Sequence, residues 1–268
     1  MTAAFPDLVV RRGDIESAPP RVGGGFEQLR AFPVKPPRLL TRSLGIFCVN
    51  TVDRVVALTY DDGPAPLNTP RILDVLARHQ ATATFFVLGS QVASHPELAR
   101  RIVEGGHQVG LHGEDHRSLF SMSTKSALAQ LRDARRRVED VVGVAVNLYR
   151  PPYGDITLRQ AEGIRRMGLQ VVIWSGDPMD WRDGDLHTVT SRAIGALFPG
   201  AILLLHDHLG DAEDNPPGDA VQRLDRAALT ESILRSLSAQ QFRTTTVGSL
   251  VAEHQQVKSL IRRVRAGS

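Results

Sequence analysis

From Arg54 onward the chain alternates short, β-branched apolar runs with longer stretches whose apolar residues recur at helical spacing. "RVVALTY" (54–60) reads as a strand, and "NTPRILDVLARHQ" (68–80) as a helix with Thr69 at its cap and Pro70 in its first turn. "ATATFFVLG" is the next strand, "HPELARRIVEGG" a second helix begun by Pro and ended by Gly, and "HQVGLHG" a third strand. "TKSALAQLRDARRRVEDVVG" is amphipathic, with Leu128, Leu131, Val138 and Val142 on one face. "AVNLYRPPYG", the helix "TLRQAEGIRRMG", the strand "QVVIWSGD", "TVTSRAIGALFPG", the strand "AILLLHDH", a helix over 224–240 and a last strand "FRTTTVG" follow in turn.

About seven strand-to-helix units without an internal repeat predict a single parallel α/β domain, either a doubly wound sheet or a (β/α) barrel; of the two we expect the barrel. Residues 1–50 break this rhythm. They are rich in Pro, Gly and Arg ("SAPPRVGGG", "FPVKPPR") and read as an irregular N-terminal arm, with the domain at 51–252 and a basic tail at 253–268.

Composition narrows the chemistry. The chain has 268 residues and is 42% hydrophobic, enough for a sizeable core. No stretch approaches the ~20 apolar residues of a membrane span. The opening residues lack the pattern of a secretory signal, which gives an expectation of a cytoplasmic protein. Cys48 is the sole cysteine, so neither an intrachain disulfide nor a multi-cysteine metal site is available, and any metal ligand must be His or carboxylate. The net charge of +3 is small, and "RRR" (135–137) and "KSLIRRVRAGS" read as solvated faces rather than a nucleic-acid surface.

The polar residues share an address. Asp61, Asp62, His112, Tyr153, Asp177 and His206 all fall at or just beyond the carboxyl ends of predicted strands, where a (β/α) barrel builds its site. "TYDDGP" sets two carboxylates side by side, a costly arrangement to bury without a cation; a solvated turn is the plain alternative. In "HGEDH", His112 and His116 stand four apart and can turn to one cation, although the spacing alone is a weak signal and Glu114 is misplaced for an HExxH metalloprotease. With one aspartate as third ligand the set leaves positions open for water and substrate, and the other aspartate is free to take a proton from the activated water.

"YRPPYG" offers Arg150 as a fixed cation that can hold and aim a carboxylate, or else a proline-rich surface turn. "DPMDW" supplies Asp177, Asp180 and Trp181, and a carboxylate here can orient a histidine while the indole walls a pocket. "ILLLHDH" ends an aliphatic run at His206, either a core histidine satisfied by one hydrogen bond or a general acid; His208 has no assigned task.

Together, "TYDDGP", "HGEDH", "RPPYG", "DPMDW" and "LLLH", in this order, resemble the five motifs of the polysaccharide deacetylase family, also called the NodB-homology domain or carbohydrate esterase family 4. The resemblance spans roughly Val52 to Val251. It implies a distorted (β/α) barrel. It further implies Asp61 as general base, Asp62, His112 and His116 as ligands of a divalent metal, with zinc the expected ion, and Arg150 as the residue that orients the base. Tyr153 corresponds to a backbone oxyanion donor, Asp177 to the carboxylate that tunes the acid His206, and Trp181 and Leu204 to the pocket for the acetyl methyl. Gly113 stands where the family usually has Ser or Thr, which leads to an expectation of weaker metal binding.

The implied activity is removal of N-acetyl groups from N-acetylhexosamine glycans such as chitin oligomers or peptidoglycan. A cytoplasmic deacetylase or amidase of the same fold, acting on a small acetylated amino sugar or other metabolite, is the alternative, and a carbohydrate-binding protein without catalysis a third. The acidic segment "HLGDAEDNPPGD" is expected to shape the substrate groove.

Overall fold

A computed structural model describes residues 8–10, 13, 15, 19–22, 44–182, 184–208 and 224–259. Its centre is a parallel sheet built from β3 (Val55–Asp61), β4 (Thr84–Leu88), β5 (Gln108–Gly113), β6 (Leu148–Tyr149), β7 (Gln170–Val171) and β8 (Ile202–His206). The hydrogen-bonded order is β7-β6-β5-β4-β3-β8, with β9 (Arg243–Thr244) pairing with the start of β3. β3, β4 and the first four residues of β8 are buried at every position, as expected for strands covered on both faces.

Just after β7 the chain crosses to β8. Ser175 and Gly176 donate to the Ile202 carbonyl at 2.9 and 3.2 Å, and Leu204 donates back to Gly176 at 2.9 Å. The two ends of the sheet are bridged here, in keeping with the distorted barrel that the family resemblance implies. The crossing also explains why the apolar run "QVVIWSGD" yields only a short strand: its second half pairs with a different neighbour.

Helices fill the crossovers. They are α1 (Thr69–Arg78), α2 (Gly89–Ser94), α3 (Pro96–Glu104), α4 (Thr124–Val142), α5 (Leu158–Arg166), α6 (Leu186–Gly195), α7 (Arg226–Ala239) and α8 (Val247–Glu253). α4 runs from a Ser123 cap, whose side chain accepts from Ser126 N, to Gly143 at φ 69°, a left-handed terminus that favours glycine. Its buried face carries Ala127, Leu131, Ala134, Val138 and Val142, while Leu128 is only half-buried. Leu131 is fully enclosed. Leu131→Ala is therefore expected to lower unfolding stability by about 2–5 kcal/mol, read from urea denaturation; a change below about 0.5 kcal/mol would show that the face is not packed as described.

Two local expectations need correction. The cap of α1 is Asn68 rather than Thr69. The Thr69 hydroxyl instead accepts from Ala65 N at 2.7 Å and donates to Asp207 Oδ2 at 2.5 Å, tying the loop after β3 to the end of β8. The limits drawn at 50/51 and 252/253 also cut through structure. β2 (Gly45–Asn50) pairs antiparallel with β10 (Gln255–Ser259), and β1 (Leu8–Val9) joins β10 in parallel, forming a second, three-stranded sheet. Ile46, Phe47, Cys48, Val49 and Val257 are all buried in it, so a continuous apolar run marks a strand at the end of a segment whose composition suggests only a loop. Residues 23–43, the acidic stretch 209–223 and the basic end 260–268 lie outside the described residues.

Candidate active site

The carboxyl ends of the central strands gather the predicted polar residues. Asp61 closes β3 and stands in register beside His206, the last residue of β8, so both side chains leave the sheet on the same side. Leu204, two residues before His206, shares that side and is buried. The loops that follow the strands carry the rest, and their backbones are unusual. Asp62 (φ 79°), His116 (φ 61°), Tyr153 (φ 58°) and Met179 (φ 56°) all occupy the left-handed region that ordinary residues avoid. Such strain is retained where the surrounding contacts over-determine it, and here it is concentrated around one site.

Asp62, His112 and His116 converge. Asp62 Oδ1 lies 3.3 Å from His112 Nε2 and 3.3 Å from His116 Nε2, and the three donor atoms all fall within 4.8 Å of one another. Donors held ~2.0–2.2 Å from a tetrahedral ion stand roughly 3.3–3.6 Å apart, so these separations suit a shared divalent cation. The chemistry of the set agrees. His112 donates its Nδ1 proton to the Arg150 carbonyl oxygen at 2.8 Å, which orients the ring and turns Nε2 toward Asp62. Burial opposes ionisation of Asp62, but the His112 hydrogen bond and the fields of His206 and His116 outweigh it and hold the carboxyl well below the usual range. The Tyr153 ring packs on His116 with centroids 4.6 Å apart.

Gly113, between the two histidines, has φ 111°, and an added Cβ would meet only Pro152 Cγ at 3.9 Å. Backbone conformation rather than crowding therefore favours glycine here, which gives a physical reason for the absence of a hydroxyl residue. The same loop is anchored by other means, with Ser90 N donating to the Glu114 carbonyl at 3.0 Å and Arg137 paired with the Glu114 side chain.

Two buried ion pairs flank the cluster. Arg150 is 0% exposed, and its Nη1 donates to Asp61 Oδ1 and to the Thr59 hydroxyl, both at 2.7 Å. Its Nη2 donates to the Ile173 carbonyl at 3.2 Å, and the guanidinium lies 4.1 Å from the Phe86 ring centroid. Asp61 Oδ1 is thus held, and Oδ2 is turned toward the Asp62–His112–His116 cluster, 3.7 Å from His112 Nε2.

On the other flank His206 Nδ1 donates to Asp180 Oδ1 at 2.7 Å, and His206 N to Asp180 Oδ2 at 2.9 Å. This corrects the expectation that Asp177 is the carboxylate behind His206. Asp177 instead accepts from Met179 N at 2.8 Å in a local turn, and that turn carries the second acid of "DPMDW", Asp180, inward to full burial. Burial works against the imidazolium, but the adjoining Asp180 outweighs it, with Asp62 and Asp61 adding to the effect, and pushes the His206 pKa up to about 9.

Two buried groups escape sequence reasoning. Arg226, at the start of α7, donates to Asp180 Oδ2 at 2.8 Å and to the His206 carbonyl at 2.7 Å. Asp207, beside His206, is buried against Gly63 and receives the Thr69 hydroxyl; burial pushes its carboxyl up to about 7. Its place directly after the histidine of "LLLHD" was the available signal for Asp207, whereas nothing near Arg226 points to the site. Trp181 (40% exposed), Tyr153 (42%) and Met179 (39%) are among the exposed apolar residues of these loops, with Leu67 and Phe120.

A family model described as polysaccharide deacetylase matches residues 49–172. The chitooligosaccharide deacetylase of a Bradyrhizobium strain is 39% identical over 171 residues, which cover 63% of this chain and 78% of that protein. The chain belongs to the polysaccharide deacetylase family. The peptidoglycan N-acetylglucosamine deacetylase PgdA of Listeria monocytogenes is 37% identical over 202 residues, 75% of this chain but 40% of the relative, so the chain spans about two fifths of the length of that curated protein. Among solved structures of the polysaccharide deacetylase family, peptidoglycan deacetylase PdaC from Bacillus subtilis superposes with a TM-score of 0.65 at 35% identity, covering 74% of this chain and 90% of that one. No helix among the described residues is long and apolar enough to cross a membrane.

Proposed function

We propose that this protein is a zinc-dependent hydrolase that removes N-acetyl groups from N-acetylhexosamine glycans of the chitin-oligomer or peptidoglycan type. The observation that carries this reading is the arrangement of three metal donors between Asp61, clamped by Arg150, and His206, clamped by Asp180. Asp62, His112 and His116 would hold the ion, which supplies a Lewis acid for a carbonyl oxygen and lowers the pKa of water.

The remaining work falls to the chain's own groups. Asp61 Oδ2, left open because Arg150 takes Oδ1, accepts the proton of the attacking water. The Tyr153 N–H donates to the oxygen that gains charge as the carbonyl carbon becomes tetrahedral. His206 Nε2 gives its proton to the nitrogen as the C–N bond breaks, which an amide requires because an unprotonated amine anion leaves poorly. Buried Leu204 and the exposed Trp181 supply an apolar wall for the acetyl methyl, and the exposed rings of Trp181 and Tyr153 suit the apolar faces of sugars. Similarity to relatives named for peptidoglycan and chitooligosaccharides supports a glycan over a small metabolite.

The test is acetate release by purified, zinc-loaded protein from chitooligosaccharides, peptidoglycan and monomeric N-acetyl sugars side by side. Release from the polymers supports the proposal. Release from monomers alone would favour a metabolite enzyme, and no release from any of them, with metal bound, would leave a binding protein.

A pH dependence follows from Asp180. His206 must carry its proton to act, so turnover falls as pH rises through its raised pKa. Asp180→Asn removes the main charge that raises this value, leaving Asp61 and Asp62, and the alkaline limb of the pH–rate profile is expected to move to lower pH. A limb that stays in place would separate Asp180 from the proton donor.

A further inference from the structure

Arg226 reaches the site from outside all five motifs, across a stretch of sequence that carries none of the predicted chemistry. It is the first residue of α7 and is 4% exposed. A guanidinium is costly to bury, and the helix does not need it as a cap, because the Asp225 side chain already accepts from Ala227 N and Ala228 N. Its Nη1 instead bridges Asp180 Oδ2 and the main-chain oxygen of His206.

Asp180 is consequently held on two sides. Its Oδ2 accepts from Arg226 and from His206 N, and its Oδ1 accepts from the imidazole Nδ1. With Oδ2 occupied by two donors, rotation of the carboxylate away from the imidazole would break both bonds at once. The pairing repeats, on the donor side, the way Arg150 holds one oxygen of Asp61 on the acceptor side.

We propose that Arg226 is a positioning residue for His206: by gripping Asp180 Oδ2 and the His206 carbonyl together, it fixes Asp180 Oδ1 on the imidazole Nδ1 and so aims Nε2 at the departing nitrogen. The inference rests on the reading of His206 as proton donor. In that step the proton leaves Nε2 for the amine nitrogen, which keeps the electron pair of the breaking C–N bond, and the imidazole is left neutral. A ring turned away from this line donates poorly, and a misplacement of about 1 Å can cost ~10²-fold in rate.

The test uses the zinc-loaded full chain and two acyl donors of different need. An N-acetylated chitooligosaccharide must have its leaving nitrogen protonated, whereas the phenolate of 4-nitrophenyl acetate leaves without a proton. Arg226→Met is expected to lower kcat for the amide roughly 10–100-fold with little change in KM, and to lower ester hydrolysis several-fold less. Arg226→Lys, which restores a cationic donor, should recover part of the amide turnover. If the Met variant does not fold, Arg226→Gln, a neutral donor to the same oxygens, should show the same preference for ester over amide.

His206→Gln, measured in parallel, keeps the two ideas apart. If it loses amide turnover selectively while Arg226→Met or Arg226→Gln loses amide and ester equally, or neither, the role of Arg226 is overturned and the acid assignment stands. If His206→Gln itself loses both equally, the acid assignment fails and the role of Arg226 falls with it.

Discussion

Asp61→Asn is expected to keep its metal and lose deacetylation by roughly 10²–10⁴-fold, the usual contribution of a positioned general base. The substitution is nearly isosteric. The amide oxygen can still accept from Arg150 Nη1, so the buried guanidinium keeps a partner and the loop that carries Asp62 need not shift. What changes is the second position, where an amide nitrogen that donates replaces Oδ2, an atom that accepts. Metal content per chain and acetate release, measured on the same preparation, check the expectation together. A variant with metal and near-normal turnover would remove Asp61 from the role of base.

His112→Ala is expected to lose both metal and turnover, by about 10³-fold or more, since several kcal/mol of Lewis-acid stabilisation disappear and each ~1.4 kcal/mol is a factor of ten. The difference from Asp61→Asn is structural. His112 is buried, supplies one of only three protein donors among the described residues, and occupies the Arg150 carbonyl through its other nitrogen. Its removal opens the cluster from inside, leaving Asp62 and His116 without the third donor and a main-chain oxygen without its partner. The measurement is elemental analysis after dialysis against a weak chelator, with acetate release alongside. Retention of a full equivalent of metal would place the ion elsewhere.

The fold was legible wherever a physical signal repeated. Val55–Asp61, Thr84–Leu88, Gln108–Gly113 and Ile202–His206 are strands because apolar, β-branched runs end at loops, and the barrel puts their carboxyl ends together. Most of the site lies at the same ends: Asp61 and His206 are the last residues of β3 and β8, Asp62 follows β3 directly, and His112 is the penultimate residue of β5. Other features depend on contacts that no local pattern encodes. β2 and β10 pair across more than 200 residues, and composition disguised both as arm and tail.

Asp177 and Asp180 are two aspartates three apart, and only the turn formed by Met179 N on Asp177 decides which of them faces His206. Arg226 is invisible for the same reason: its partners are brought to it by the meeting of α7 with β8, and its neighbours in sequence say nothing of them. Thr69 shows the converse case, in which a residue with the right chemistry for a helix cap is used for a tertiary bond because a buried carboxyl lies within reach.

The most direct measurement is X-ray absorption at the zinc edge of the zinc-loaded protein. Two imidazole nitrogens and oxygen ligands at ~2.0–2.2 Å, with the imidazole signal reduced in His116→Ala, are the predicted result. A shell without imidazole scattering, or one unchanged by that substitution, would contradict a shared ion between Asp62, His112 and His116.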